Sequence, residues 1–355
     1  MSRLFVLWVV VVVAACRPAA EVPSFDSAAA VDAVQRLLTA ETPADRLSVV
    51  PEALAERLRA LPGPPDEAAR PDPASLVLAE KIRLPDRVVY RGTWRERRGA
   101  SSSEARAWFT LVQEQGRARV LWRAPLIDAA WALVARGSLD EGQARLQELL
   151  DEDDHDPVLL DRAGWAAMRR GQVEQAEALF GREAALDATS ATPLASLAAV
   201  RVHQNRLEDA LELLTRAAGL ERTAVTLANL GEVQRRLGRI DDAKATLGEA
   251  WRLDKDNPGP LLYLAELHRQ LGDVPACVEA AGRAWPLADR LEAFAWERLA
   301  AVRAACLYLD ARDDEARTVY DQLVRRAPGS ATTTRLTDFL RLQGAPFVPA
   351  RGVPR

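Results

Sequence analysis

Four short stretches recur along this chain at almost constant spacing, and that spacing constrains the fold more than any other feature. Gly171, Asn205, Gly238 and Gly272 are 34, 33 and 34 residues apart. Five residues after each stands a small side chain: Ala176, Ala210, Ala243 or Cys277. Four further on sits Phe180, Leu214, Leu247 or Ala281. A period of this length, with small residues at fixed offsets, marks a stack of repeats in which each unit is supported mainly by its neighbours.

Close packing of two antiparallel helices explains the pattern. In the clearest unit, Leu227, Ala228, Leu230 and Gly231 give the first helix an apolar face with one point of close approach. Gly238 ends that helix, because glycine accepts the left-handed conformation common at helix C-termini. Asp241 and Asp242 open the second helix, where acidic side chains meet the positive end of its dipole. Ala243 is small because the two backbones cross there, and Leu247 fills the space one turn on. Asp254 and Pro258 close the unit.

The run LANLGEVQRRLGRIDDAKATLGEAWRLDKDNP, residues 227–258, resembles the tetratricopeptide repeat (TPR) consensus and lacks only its aromatics. The resemblance covers about residues 123–328. It implies a mostly α fold: a right-handed TPR superhelix of about six units, beginning near Arg123, Pro157, Ala191, Ala224, Pro258 and Glu297. The first unit is looser, with Gly137 at the turn, Gly142 where alanine is usual, and an acidic insertion, Asp151-Glu152-Asp153-Asp154. The sixth is offset, Ala316 lying 39 residues after Cys277, but it keeps Tyr320 and the closing Pro328. Beyond it, residues 329–343 are expected to cap the stack, with Leu336, Phe339 and Leu340 on one helical face. Residues 344–355 are expected to form a flexible tail.

The N-terminus carries a second signal. Met1-Ser2-Arg3 precedes an apolar run of 12 residues, 4–15. A membrane-spanning helix needs about 20, whereas a signal peptide fits. Val13-Ala14-Ala15-Cys16 resembles a bacterial lipobox, which implies cleavage after residue 15 and lipidation of Cys16. Several acyl chains would anchor the chain stably, whereas one holds only marginally. Arg17, rather than an aspartate, follows the lipid site, and resemblance to Gram-negative sorting patterns then implies the outer membrane, facing the periplasm. Residues 16–27 are the lipidated cysteine and tether.

The formal net charge is −4, which argues against nucleic acid, whose binders show a basic patch or stripe. The remaining cysteines are Cys277 and Cys306. Export permits a disulfide between them, while buried free cysteine is also a common small apolar residue; the sequence leaves both open.

Between tether and repeats, residues 28–122 read as a small α+β region. Ser27 caps a helix containing Val31, Val34, Leu37 and Leu38. Thr42-Pro43 opens a second, and Leu54, Leu58 and Leu61 suggest a third. Residues 62–73 are proline-rich and read as a linker or long loop. Segments 88–97, 105–114 and 118–123 are rich in β formers, with a turn at Gln115-Gly116, and predict a three-stranded antiparallel meander. Trp108 and Trp122 there either pack a small core or form a recognition face.

No catalytic constellation emerges. His155, His203 and His268 form no metalloprotease-type pair, and there is no nucleophile elbow, phosphate-binding loop or dinucleotide fingerprint. Segment 151–156 lacks the glycine and closing glutamate of a calcium loop, and it reads as a solvated acidic loop. No metal site, cofactor or enzymatic activity is expected. Resemblance to the family does imply a concave groove lined by first-helix positions. Carried onto this chain, these are Trp131, Asp161, Trp165, Met168, Arg169 and His203. In later units they are Asn229, Glu232, Arg235, Arg236, Tyr263, Glu266, Arg269 and Gln270. The basic two-carboxylate clamp of chaperone-binding members is not reproduced, since Ala228 stands where its asparagine would sit. A partner segment is expected to dock apolar groups on Trp131, Trp165 and Met168, with Arg235 and Arg269 setting its direction.

The whole layout resembles TPR lipoproteins that assist outer-membrane protein assembly or type IV pilus biogenesis. It implies an envelope-anchored scaffold or assembly factor for a protein or peptide partner. The alternatives are a regulator or enzyme-associated protein acting through residues 28–122, and a structural spacer.

Overall fold

The computed structural model describes residues 27–40, 43–59, 70–84, 87–98, 101–115, 117–121 and 123–348. The expected signal peptide, Cys16 and nearly all of its tether lie outside the described residues, as do Trp122 and the side chain of Trp108. The chain divides into two compact units, one ending at Gln172 and the other beginning at Val173.

In the first unit, α1 (Ser27–Thr39), α2 (Pro43–Leu47) and α3 (Glu52–Arg59) are the three helices expected there, with Thr42 and Leu61 lying outside the described residues. An antiparallel sheet follows, of β1 (Arg70–Arg83), β2 (Arg87–Arg98), β3 (Ser101–Glu114) and β4 (Arg117–Val120), in that spatial order. The sheet thus has four strands rather than the three expected. β1 is the addition, and it begins inside the segment read as a proline-rich linker. Pro71 and Pro73 are tolerated because β1 is an edge strand. Its register also shifts between Asp72 and Val77, where Ser75 Oγ accepts a hydrogen bond from the Arg95 amide at 2.7 Å. Ala30, Ala33, Val34 and Leu37 of α1 are buried with Val88, Tyr90, Phe109 and Leu111 of the sheet.

Helices α4 (Ala124–Ala135), α5 (Leu139–Glu152) and α6 (Pro157–Arg169) complete this unit. Gly142 is not a loose spot. A Cβ there would lie 2.6 Å from Val134 Cγ2 and 2.9 Å from the Val134 nitrogen, so α4 and α5 approach closer than alanine permits. The acidic loop also departs from its solvated reading. Asp153 is buried and receives Arg123 Nη2 at 2.8 Å and Arg87 Nη1 at 3.3 Å. Asp156 caps α6 by accepting the Val158 and Leu159 amides. Burial raises its carboxyl above the usual range, against the opposing charge of Arg123.

The second unit runs through α7 (Val173–Leu186), α8 (Thr192–His203), α9 (Leu207–Leu220), α10 (Ala224–Arg236) and α11 (Ile240–Leu253). It continues with α12 (Gly259–Leu271), α13 (Val274–Ala284), a 3-10 segment Trp285–Arg290, α14 (Ala293–Leu309), α15 (Asp313–Arg326) and α16 (Ala331–Leu342). Ala243 and Leu247 are fully buried at the α10–α11 crossing, where a Cβ on Gly231 would meet Leu247 Cγ at 2.6 Å. Each fully buried leucine contributes roughly 2 kcal/mol.

The turns repeat in detail. Gly137, Gly171, Asn205, Gly238, Gly272 and Ala311 all have positive φ, between 57° and 92°. After each, the next amide reaches back to a carbonyl in the last helical turn, as from Arg239 to Gln234 at 2.9 Å and Arg312 to Leu307 at 2.9 Å. These are Schellman closures.

The sixth hairpin begins at Ala293, four residues before the expected Glu297. Its offset is absorbed inside α14, which has 17 residues against 13 in α12. The structure joins buried Cys277 of α13 to Cys306 of α14 in a disulfide, with Cα atoms 6.0 Å apart. A loop of this length contributes roughly 3 kcal/mol by constraining the unfolded chain. Ser330 caps α16 by accepting the Thr333 amide at 3.1 Å. The tail expected from residue 344 is packed through residue 348: Ala345 and Val348 are buried, and Phe347 lies against Tyr308 and Tyr320. Among the described residues, no helix is long and apolar enough to cross a membrane.

Ala311 is the one turn residue of the six that is neither glycine nor asparagine. The left-handed conformation costs an ordinary residue roughly 1–2 kcal/mol, partly offset by the backbone entropy that glycine loses on folding. Ala311→Gly is expected to stabilise the second unit by about 0.5–1 kcal/mol, read as a higher midpoint in denaturant unfolding. An unchanged or lower midpoint contradicts the turn assignment.

Candidate binding groove

The second unit holds a concave groove of about 450 Å³. Its walls are the first helices of successive hairpins, α10, α12 and α14, together with the cap α16. Arg235 and Arg236 come from α10, and Glu266 and Arg269 from α12. α14 contributes Phe294, Arg298, Ala301, Val302 and Ala305, and α16 contributes Thr332, Arg335, Leu336 and Phe339.

The repeat period sets its electrostatics. Glu232 and Glu266 occupy equivalent places one repeat apart, which stacks two carboxylates. Arginines neutralise the stack. Arg235 forks onto Glu232 with Nε–Oε2 2.8 Å and Nη2–Oε1 3.0 Å, and lies 3.5 Å from Glu266. Arg298 forks onto Glu266 with Nε–Oε1 2.9 Å and reaches Glu232 at 3.5 Å. Arg236 is the third arginine on Glu232, with its Nε at 3.0 Å. Beneath the network, Tyr263 carries the Arg298 guanidinium 5.2 Å above its ring, a cation–π contact.

Glu232 is only 7% exposed. Burial pushes its carboxyl up, but hydrogen bonds and charge from Arg235, then the charges of Arg298 and Arg236, hold it below its ordinary value. Burial pulls Arg298 down, and the charge and hydrogen bonds of Glu266 raise it well above the usual guanidinium value. Glu232, Arg235 and Arg298 therefore stay ionised at neutral pH.

Of the residues expected to line a groove, Arg235, Arg236, Glu266 and Arg269 do so here. Glu232 and Tyr263 form the layer beneath, and Gln270 accepts Arg235 Nη1 at 2.8 Å. Asn229 is half-buried on α10, and His203 is exposed on α8; neither lines this groove. In the first unit, Trp131 is flanked by the Arg162 and Arg169 guanidiniums, each 5.0 Å from its ring centroid. Trp165 Nε1 donates to Asp161 at 3.1 Å, and Met168 is half-buried. The contributions of α14 and α16 escaped the sequence reading. For Arg298 a signal was present, the late turn of the sixth unit, which implies an added turn of helix. Asp153, Asp154 and His155 come together as carboxylates and imidazole. Asp153 is already engaged by Arg123 and Arg87.

Tetratricopeptide-repeat family models match residues 224–249, 258–283 and 299–330. The chain carries tetratricopeptide repeats. No curated protein matches it in sequence. Among solved structures, it is similar to the APC/C hetero-tetramer Cut9-Hcn1, with 17% identity and a TM-score of 0.54, over 63% of this chain and 43% of that one. The chain thus spans under half the length of that relative. It is also similar to Pseudomonas aeruginosa pilF (18% identity, TM-score 0.46, 61% of this chain and 97% of that one). A third is PilW, described as a type IV pilus biogenesis factor (13%, 0.47, 59% and 96%). At these identities the likeness concerns fold alone. Tetratricopeptide repeats generally bind protein or peptide partners, and the fold is consistent with an interaction scaffold.

Because folding lowers the Glu232 carboxyl below its ordinary value, its contribution to stability is fully present above that value. It is lost as pH falls through the folded one. The second unit is therefore expected to lose stability below about pH 4.5. Glu232→Gln leaves Arg235 and Arg298 short of a carboxylate and is expected to cost about 3 kcal/mol at neutral pH. Denaturant unfolding across pH 3–7 checks both; a wild-type curve that the variant merely parallels contradicts the network's role.

Proposed function

We propose that this chain is a cell-envelope scaffold or assembly factor, anchored through a lipid on Cys16 and facing the periplasm from the outer membrane. In this reading it binds a segment of a partner protein against the inner faces of its first helices. It catalyses nothing and holds no cofactor. One observation carries the binding half: the groove on the second unit, walled by three successive first helices and the cap, with charged and apolar lining. Its volume falls in the ~300–1,000 Å³ range of ligand clefts. The anchoring half rests on the apolar run 4–15 and the lipobox-like Val13–Cys16. The Cys277–Cys306 disulfide supports it, since such bonds persist in oxidising compartments such as the periplasm. The Trp131, Trp165 and Met168 patch of the first unit is proposed as a further apolar contact.

Two measurements test this. Cys16→Ser is expected to move the protein from the membrane fraction to a soluble or uncleaved form; membrane retention of a processed variant at high salt removes the anchor. A photo-crosslinking side chain at Phe294, which is 63% exposed at the groove, is expected to trap a partner protein in envelopes. The same group at Leu253, exposed on α11 outside the groove lining, is expected to trap none. Equal trapping at both positions, or trapping only at Leu253, contradicts the groove.

A further inference from the structure

Charge in the groove does not balance. Five guanidiniums line it, from Arg235, Arg236, Arg269, Arg298 and Arg335, while two carboxylates reach them, Glu232 and Glu266. Those carboxylates are already shared by Arg235, Arg298 and Arg236. Arg269 and Arg335 are exposed and make no ion pair among the described residues. Between these cations the lining is aliphatic and aromatic: Val302 and Leu336 are buried, Phe339 is half-buried, and Phe294 stands at the mouth.

An unneutralised guanidinium pair beside an apolar floor recognises a ligand with negative charge and an apolar body at short range. We propose that the groove binds an acidic peptide segment. Its side-chain carboxylates pair with Arg269, Arg335 and Arg236, and an aliphatic or aromatic side chain lies against Val302, Leu336 and Phe339. This rests on the scaffold reading above and names the chemistry of its partner. Internal carboxylates are favoured over a free C-terminus, because one terminal carboxylate cannot neutralise an excess of three positive charges. Peptide is favoured over nucleic acid, because the floor is aliphatic and the chain as a whole is acidic, with net charge −4.

Arg298, Arg335 and Phe294 come from departures from the repeat, whereas Arg269 repeats Arg235. Phe294 belongs to the added first turn of α14, and Arg335 belongs to the cap; neither position exists in a simple hairpin. Arg298 follows that added turn closely, and it points back onto Glu266 of α12. With Arg298 holding Glu266, that carboxylate is not left to neutralise Arg269.

The test uses the detergent-solubilised full chain and fluorescein-labelled 12-residue peptides, acetylated and amidated, carrying glutamates around a central Leu-Phe pair. The acidic peptide is expected to bind saturably, with affinity falling as salt rises. Replacing glutamate by lysine is expected to abolish binding, and replacing Leu-Phe by alanine to weaken it about 10-fold. Arg269→Glu and Arg335→Glu are each expected to weaken binding about 10-fold or more with unchanged melting temperature, since both side chains are exposed. The lysine variants at these positions are expected to lose much less, and Arg216→Glu on α9 to lose nothing. Four results overturn the inference: equal binding of the lysine peptide, full affinity in the Arg269→Glu/Arg335→Glu double variant, binding that requires a free C-terminus, or displacement by a single-stranded oligonucleotide that binds as tightly. If crosslinking from Phe294 traps a protein while the acidic peptide does not bind, this inference falls and the scaffold reading stands.

Discussion

Each helical hairpin turns on one residue held with positive φ, and the two helices then cross at a side chain no larger than alanine or cysteine. The rest of the molecule depends on that pair of constraints. A left-handed residue lets the chain reverse within a few residues while the last carbonyls still find amides, as Arg239 finds Gln234. The small crossing residue, Ala243 or Ala210, lets backbones approach until Leu247 or Leu214 is fully buried. Since turn and crossing recur at nearly fixed spacing, so does everything between them. That is how Glu232 and Glu266 come to stack, and Arg235 and Arg269 with them.

Repetition alone would repeat the same charge pattern in each unit, and the groove arises where repetition is broken. An added turn of α14 sets Phe294 at the mouth and leads into Arg298, which is bidentate on Glu266 and over the Tyr263 ring. The disulfide ties α14 to α13, so the helix that carries these residues is fixed to its neighbour by a covalent bond. The cap then supplies Leu336 and Phe339 as floor and Arg335 as a further cation. The ends of repeat arrays usually serve solubility; here the end also walls the groove.

How far the molecule could be read in advance follows from the range of each interaction. Turns set by glycine or asparagine are local, so Gly171, Asn205, Gly238 and Gly272 announce themselves, whereas Ala311 does not: nothing in an alanine says that its φ is 57°. Gly142 looked like a defect because sequence shows identity, not the 2.6 Å that a Cβ there would leave to Val134. β1 was hidden by prolines that only an edge strand tolerates, and Asp153 by acidic neighbours that mask its buried pairing with Arg123. For the groove, residues at regular first-helix positions were legible. Arg298, Phe294 and Arg335 were not, since their places depend on a helix start displaced to Ala293 and on the packing of the cap. The Cys277–Cys306 pair stayed open for the same reason, because closeness between two helices is a tertiary fact.

Where a bound ligand slows backbone exchange tests the groove most directly. Amide hydrogen exchange on the full chain, with and without a saturating acidic–apolar peptide, reads this for all helices at once. The account predicts slowed exchange in α10, α12, α14 and α16, with the second helices α11 and α15 unaffected. Slowed exchange confined to α11 and α15, or to the helices of the first unit, would contradict it.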